Sequence, residues 1–174
     1  MPTSPDLSDR VFAKATAFVI DVLEGGERPV TDSGGLTRYG IAQRSHPSVD
    51  VAKITRADAV AIYRRDYWAT LKADLLPPAL ALLLFAAAVN AGNYHAVRIL
   101  QRAVGVTQDG VVGQQTLLAV RRFSSPLELR VRFNTFWLKS YFDLAREKPY
   151  YQQWLDGWTR RVLLTADEAG RWDS

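Results

Sequence analysis

A chain of 174 residues, 48% of them hydrophobic, can bury one core and a small appended subdomain, and its supply of Trp, Tyr and Phe excludes a disordered chain. The net charge of +4 suits an anionic partner such as nucleic acid, a membrane surface or an acidic cell wall, and equally suits plain solubility. With no cysteine and only His46 and His95, disulfides, thiolate metal sites and a Cys nucleophile are excluded, and a His-based zinc site has too few ligands.

The N-terminal MPTSPDLSDR is polar and shows no charged region leading into an apolar run, so no Sec signal peptide is expected. The most apolar stretch, 79–89, falls short of the roughly 20 residues a membrane span needs and reads as a buried core helix. The chain is therefore expected to be made in the cytoplasm, without membrane insertion. A substrate outside the inner membrane then requires a holin-like pore or a dedicated secretion machine.

A first helix is expected from Ser4-Pro5 or Ser8, with Phe12, Ala15, Val19, Val22 and Leu23 on its apolar face and Gly25-Gly26 as its stop. Residues 25–39 are rich in Gly, Ser, Thr and Asp and read as a turn-rich loop or small β-hairpin. Ile41 to Arg44 is expected to form one helical turn. Thr55 and Asp58 resemble a capping box opening a helix to Leu71, with Val60, Tyr63, Tyr67 and Leu71 on one face. Pro77-Pro78 opens the apolar helix, which Gly92 ends. Further helices are expected at 94–104, closed by Gly105, at 114–122, and from Pro126 to Glu147. In that long helix Leu129, Phe133, Phe136, Trp137, Tyr141 and Leu144 face inward. After Pro149 a last helix carries Trp154, Trp158 and Val162, and the tail DEAGRWDS is expected to fray. The pattern is mainly α with one irregular loop, and a boundary near Gly92 separates residues 1–92 from a helical half, 93–174.

Irregular loops on helical scaffolds are where function tends to sit. Glu24 flanks this loop at a helix C-terminus, where the macrodipole disfavours the ionised carboxylate and so favours the protonated acid. That is the form a general acid in glycoside hydrolysis needs. A solvated Glu at a helix end is the plainer alternative. Asp32 follows eight residues later, before Ser33-Gly34-Gly35, where the chain can fold back toward Glu24. Asp is also a common turn residue. Paired carboxylates suit glycosidase chemistry, and Thr37 supplies a hydroxyl that can hold a water or simply fill a strand position.

The segment EGGERPVTDSGGLTRYGI resembles the signature of glycoside hydrolase family 108, a lysozyme-like muramidase family that includes phage endolysins and secretion activators. The resemblance continues in ITRADAVAIYRRDYW and LLLFAAAVNAG. It continues again in VRILQRAVGVTQDGVVGQQTLLAV, which is similar to the family's peptidoglycan-binding subdomain. It implies a lysozyme-like helical domain joined to a helical wall-binding subdomain, and hydrolysis of the β-1,4 bond between N-acetylmuramic acid and N-acetylglucosamine in peptidoglycan. No metal or organic cofactor is implied, and a monomer is expected. The family's glutamate falls on Glu24 as general acid. By analogy with phage-type lysozymes Asp32 positions or activates water, Thr37 helps hold it, and the mechanism is inverting. Two positions depart from the pattern: Ala86 or a neighbour stands where an Asp is common before AVN, and Gln114 stands where a Pro is usual.

Tyr39, Trp68 and Asn90 are the candidate substrate contacts, since aromatic faces suit sugar rings and an amide both donates to and accepts from an acetamido group. Tyr63 reads as core, and Asn90 also suits a helix end. Arg98, Gln101 and Arg102 project from one helix, either as a groove for peptide-stem carboxylates or as a solvated face. Arg64-Arg65, Arg121-Arg122 and Arg160-Arg161 are scattered, which suits a diffuse anionic wall and not a nucleic-acid-reading surface. The rival reading is a secretion-accessory or non-catalytic wall-binding protein of the same fold.

Overall fold

The computed structural model describes residues 6–32 and 35–172, with Asp32 described by its backbone alone. It is mainly α, with a three-stranded antiparallel sheet near the N-terminus. Two compact units divide between Ala69 and Thr70.

In the first unit α1 spans Leu7–Phe18, and the Asp6 carboxylate caps it by accepting from the Leu7 amide at 2.7 Å. The expected start at Ser4-Pro5 lies outside the described residues. Phe12, Ala15, Val19 and Ile20 form the buried face. The helix then widens into a π-helical turn, Val19–Leu23, in which the Glu24 amide donates to the Val19 carbonyl at 2.9 Å, five residues back. That widening changes which side chains face inward. Val22, expected on the apolar face, is 44% exposed and Ile20 is buried in its stead.

Strands β1 (Val30–Asp32), β2 (Gly35–Arg38) and β3 (Ile41–Ala42) follow in sheet order 1-2-3, with Val30 opposite Thr37 and Arg38 opposite Ile41. Tyr39 and Gly40, at φ 52° and 78°, form the two-residue turn between β2 and β3, with the positive φ values of a primed hairpin turn. The helical turn expected at Ile41–Arg44 is therefore corrected: pairing with β2 claims Ile41 and Ala42 as strand. Gln43 holds the next segment, donating to the Val49 carbonyl at 2.7 Å and accepting from the Val51 amide at 3.2 Å. The Thr55–Asp58 capping box forms as expected and opens α2, Arg56–Ile62. A second π-helical turn, Tyr63–Trp68, ends the unit. Phe12 meets Trp68 edge-on at 5.3 Å in the core, and a bidentate Arg56–Asp21 pair at 2.6 and 2.7 Å braces the surface.

In the second unit α3 spans Pro78–Ala91, with every residue from Ala79 to Ala88 buried. A helix apolar all round needs neighbours all round. α4 (Asn93–Val104), α6 (Pro126–Glu147) and α7 (Leu155–Gly170) supply them. The boundary expected at Gly92 thus coincides with the α3–α4 junction, inside this unit. α5 spans Gln114–Arg122, and a 3₁₀ turn, Pro149–Trp154, leads into α7. In α6 Leu129, Phe133, Trp137 and Tyr141 are buried, while Phe136 and Leu144 are half-buried. The tail expected to fray is helical to Gly170, because Ala169 is fully buried and the Trp172 indole donates to Glu168 at 2.7 Å. No described helix is long and apolar enough to cross a membrane.

Gln101, 1% exposed, pins the turn after α4. Its amide nitrogen reaches Asp109 Oδ1 at 2.6 Å, the Val111 carbonyl at 3.0 Å and Thr116 Oγ1 at 3.2 Å, and its oxygen accepts from the Gly110 amide at 2.9 Å. Leucine at this position would take the partner from the buried Thr116 hydroxyl and the part-buried Gly110 amide, and would break the tie to the exposed Asp109 and Val111. Gln101→Leu is expected to lower unfolding free energy by about 1–3 kcal/mol, read by urea denaturation; wild-type stability would contradict the role given to this side chain.

Candidate active site

Glu24 closes the first π-helical turn at φ −103°, ψ 1° and is half-buried. Its surroundings come from two other segments. A Cβ built on Gly40 would lie 2.5 Å from Glu24 Cγ, 3.0 Å from Glu24 Cδ and closer still to Tyr63 Oη. Only a residue without a side chain fits between them, and φ 78° asks for glycine independently. The buried Tyr63 hydroxyl donates to the Tyr39 carbonyl at 2.9 Å, which fixes the β2–β3 turn against the second π-helical turn. Tyr67, half-buried, lies 5.6 Å from the Tyr63 ring, centroid to centroid. Burial first, then the charges of Asp66 and Glu24, push its phenol pKa up, so Glu24 and Tyr67 share one electrostatic neighbourhood.

Thr37 is half-buried on β2, three residues before Gly40, paired with Val30 and Ala42. Asp32 ends β1, its backbone opposite Gly35. The Asp32 side chain, and the Ser33-Gly34 turn on which the fold-back expectation rested, lie outside the described residues. The hairpin thus sets positions 32 and 37 on one ribbon, and its second turn abuts Glu24.

Two expected substrate contacts are corrected. Trp68 is 0% exposed, packed edge-on against Phe12, and Tyr39 is 5% exposed beneath the Arg38 guanidinium. Neither presents a ring face to solvent; both are framework. Tyr63, read as core, is buried. Asn90 belongs to the second unit, where it is exposed at the mouth of a cleft of about 700 Å³. His95 lines the same cleft; desolvation and then the Arg98 charge lower its pKa, so the imidazole is neutral at neutral pH.

Sequence reasoning missed Gly40 as a site residue and placed Tyr67 on the same helix face as Tyr63. The Tyr39-Gly40 dipeptide after an alternating run was a usable turn signal. Nothing in residue periodicity announced the π-helical turn that buries Trp68 and leaves Tyr67 half-exposed. Chemically the arrangement offers a carboxyl group and a phenol, Tyr63, held on either side of Gly40, on a unit whose β2 strand carries the Thr37 hydroxyl. Among the described residues no group of three His, Cys, Asp or Glu side chains is placed to hold a metal.

Residues 18–92 match the family model for Glycosyl hydrolase 108, and residues 95–163 match that for a Predicted Peptidoglycan domain. No curated protein matches. Among solved structures, that of Brucella abortus SagA is similar at 30% identity, with 94% of this chain and 95% of that chain covered and a TM-score of 0.83. The mainly α, lysozyme-like fold expected from the sequence agrees with that likeness. The chain belongs to glycosyl hydrolase family 108, and joins a glycosyl hydrolase domain to a peptidoglycan domain whose ligand is peptidoglycan.

Proposed function

We propose that the protein is a muramidase that hydrolyses the β-1,4 bond between N-acetylmuramic acid and N-acetylglucosamine, acting at the cell wall after release from the cytoplasm. The observation that carries this reading is the seat of Glu24, a half-buried carboxyl group lodged against Gly40 and Tyr63. A general acid must sit within hydrogen-bond reach of the glycosidic oxygen, and a carboxyl fixed on two sides loses little freedom in getting there. Glu24 then protonates the leaving oxygen. Asp32 activates a water on the opposite face of the sugar, and Thr37 helps hold that water, which gives an inverting course. Tyr67, half-buried and within reach of the Glu24 charge, is the better aromatic candidate for substrate contact in this unit.

Glu24→Gln keeps size and hydrogen bonding but cannot donate the proton. It is expected to lower the rate of solubilisation of purified cell walls by at least about a hundredfold, with an unchanged melting temperature and retained wall binding. Wild-type turnover in this variant would refute the assignment. Wall binding by the wild-type protein without release of soluble fragments would favour a non-catalytic wall-binding role instead.

Gly40→Ala tests the seat and leaves the acid itself in place. The added methyl meets Glu24 and Tyr63, and the positive φ adds strain on the order of 1–3 kcal/mol. Activity is expected to fall at least tenfold while the protein remains folded at low temperature. Full activity in the Gly40→Ala protein would show that Glu24 does not depend on this contact.

A further inference from the structure

The second unit carries a cleft whose chemistry the glycosidase reading does not use. Its walls are α4 and α6, and its volume is about 700 Å³. On α4, Arg98 and Arg102 are one helical turn apart and so share a face. Arg98 lies 5.6 Å from the Tyr94 ring centroid and Arg102 lies 4.5 Å from that of Phe136. Among the described residues neither guanidinium has a carboxylate partner. Each guanidinium is held over an aromatic ring, which orients it, and neither is neutralised by a carboxylate at the cleft.

The end wall is built by a hydrogen-bond relay. The buried Trp137 indole donates to Tyr141 Oη at 2.8 Å, and that hydroxyl donates to Asn90 Oδ1 at 2.6 Å. The relay fixes which Asn90 atom is the acceptor and leaves its amide NH₂ to donate elsewhere. Trp158 stacks on Tyr141 at 4.8 Å and 23° and lines the cleft. On α6, Asp143 is already engaged by Lys139 at 3.2 Å and Arg146 at 3.0 Å. Glu147 lines the cleft and, among the described residues, has no cationic partner.

This set of groups selects a ligand class. Two open guanidiniums and an amide donor call for carboxylates, which a planar fork binds in bidentate fashion. A carboxylate on the opposite wall calls for an amine and disfavours a polyphosphate. A neutral glycan strand has no use for either charge. Peptidoglycan carries one component with both groups: the peptide stem, with free carboxylates and, where it is not cross-linked, a free amine on its diamino acid.

We propose that this cleft is a subsite for the uncross-linked peptide stem, with Arg98, Arg102 and Asn90 on its carboxylates and Glu147 facing its amine. The inference rests on peptidoglycan being the ligand, but not on which bond the first unit cuts. The site gives the second unit a reason to distinguish loosely cross-linked wall from dense wall.

The test is titration of the full-length wild-type protein with a synthetic stem tetrapeptide containing a diamino acid, followed by calorimetry and by amide chemical shifts on α4 and α6. The peptide has no glycosidic bond, so the outcome is independent of the muramidase proposal. Binding is expected, with the shifts confined to the cleft. It should weaken at least tenfold in Arg98→Gln/Arg102→Gln and by a similar factor when the peptide carboxylates are converted to carboxamides. The second comparison leaves the protein unaltered, so it holds even if the double variant is poorly folded. No binding at millimolar peptide, or equal binding of acid and amide forms, would overturn the proposal. So would an N-acetylglucosamine tetrasaccharide producing the same shifts with higher affinity.

Discussion

The first unit is organised around the absence of a side chain at Gly40. Three segments converge there: the π-helical turn ending at Glu24, the turn between β2 and β3, and the π-helical turn that begins at Tyr63. A single methyl group at this point would meet both the Glu24 side chain and the Tyr63 hydroxyl. Because that hydroxyl also holds the Tyr39 carbonyl, the glycine couples the acidic side chain to the hairpin that carries positions 32 and 37. Residues distant in sequence are thereby held in one geometry by steric fit, and such fit is unforgiving at the scale of one carbon atom.

The two π-helical turns belong to the same logic. Each adds a residue to a helical turn and so changes which side chains face inward. In the first, Glu24 emerges half-buried at the end of the turn while Val22 is pushed outward. In the second, Tyr63 and Trp68 go into the core and Tyr67 is left half-buried, within reach of the charges of Asp66 and Glu24. The second unit uses a different device. Its central helix is apolar on every side, and polar fixation comes from Gln101 and from the Trp137–Tyr141–Asn90 relay. One unit positions an acid, and the other positions donors and rings along a cleft.

Much of this was legible in the sequence, for identifiable reasons. Proline and glycine punctuation located α3 to α6 closely, since Pro78, Gly92, Gly105 and Pro126 each stand at an observed end. The Thr55–Asp58 box is local chemistry and formed as read. Glu24 was visible as a helix-end carboxyl before a glycine pair. What failed was whatever depended on exact helical phase or on strand pairing. Val22 and Tyr67 were both placed on inward faces, yet Val22 is exposed and Tyr67 half-buried, because periodicity assumes 3.6 residues per turn, which π-helical turns violate. Ile41 was misread because its partner strand, not its own neighbours, decides its state. The tail was expected to fray because its polarity was visible and the burial of Ala169 was not.

The central claim is the identity of the bond that is cut, and the chemistry of the new chain end reports it most directly. Purified peptidoglycan digested with the wild-type protein, reduced with borohydride and hydrolysed, will yield muramitol if the account is right, because cleavage on the muramic acid side leaves that sugar as the reducing end. Glucosaminitol in its place, or newly exposed amines without any new reducing end, would contradict it.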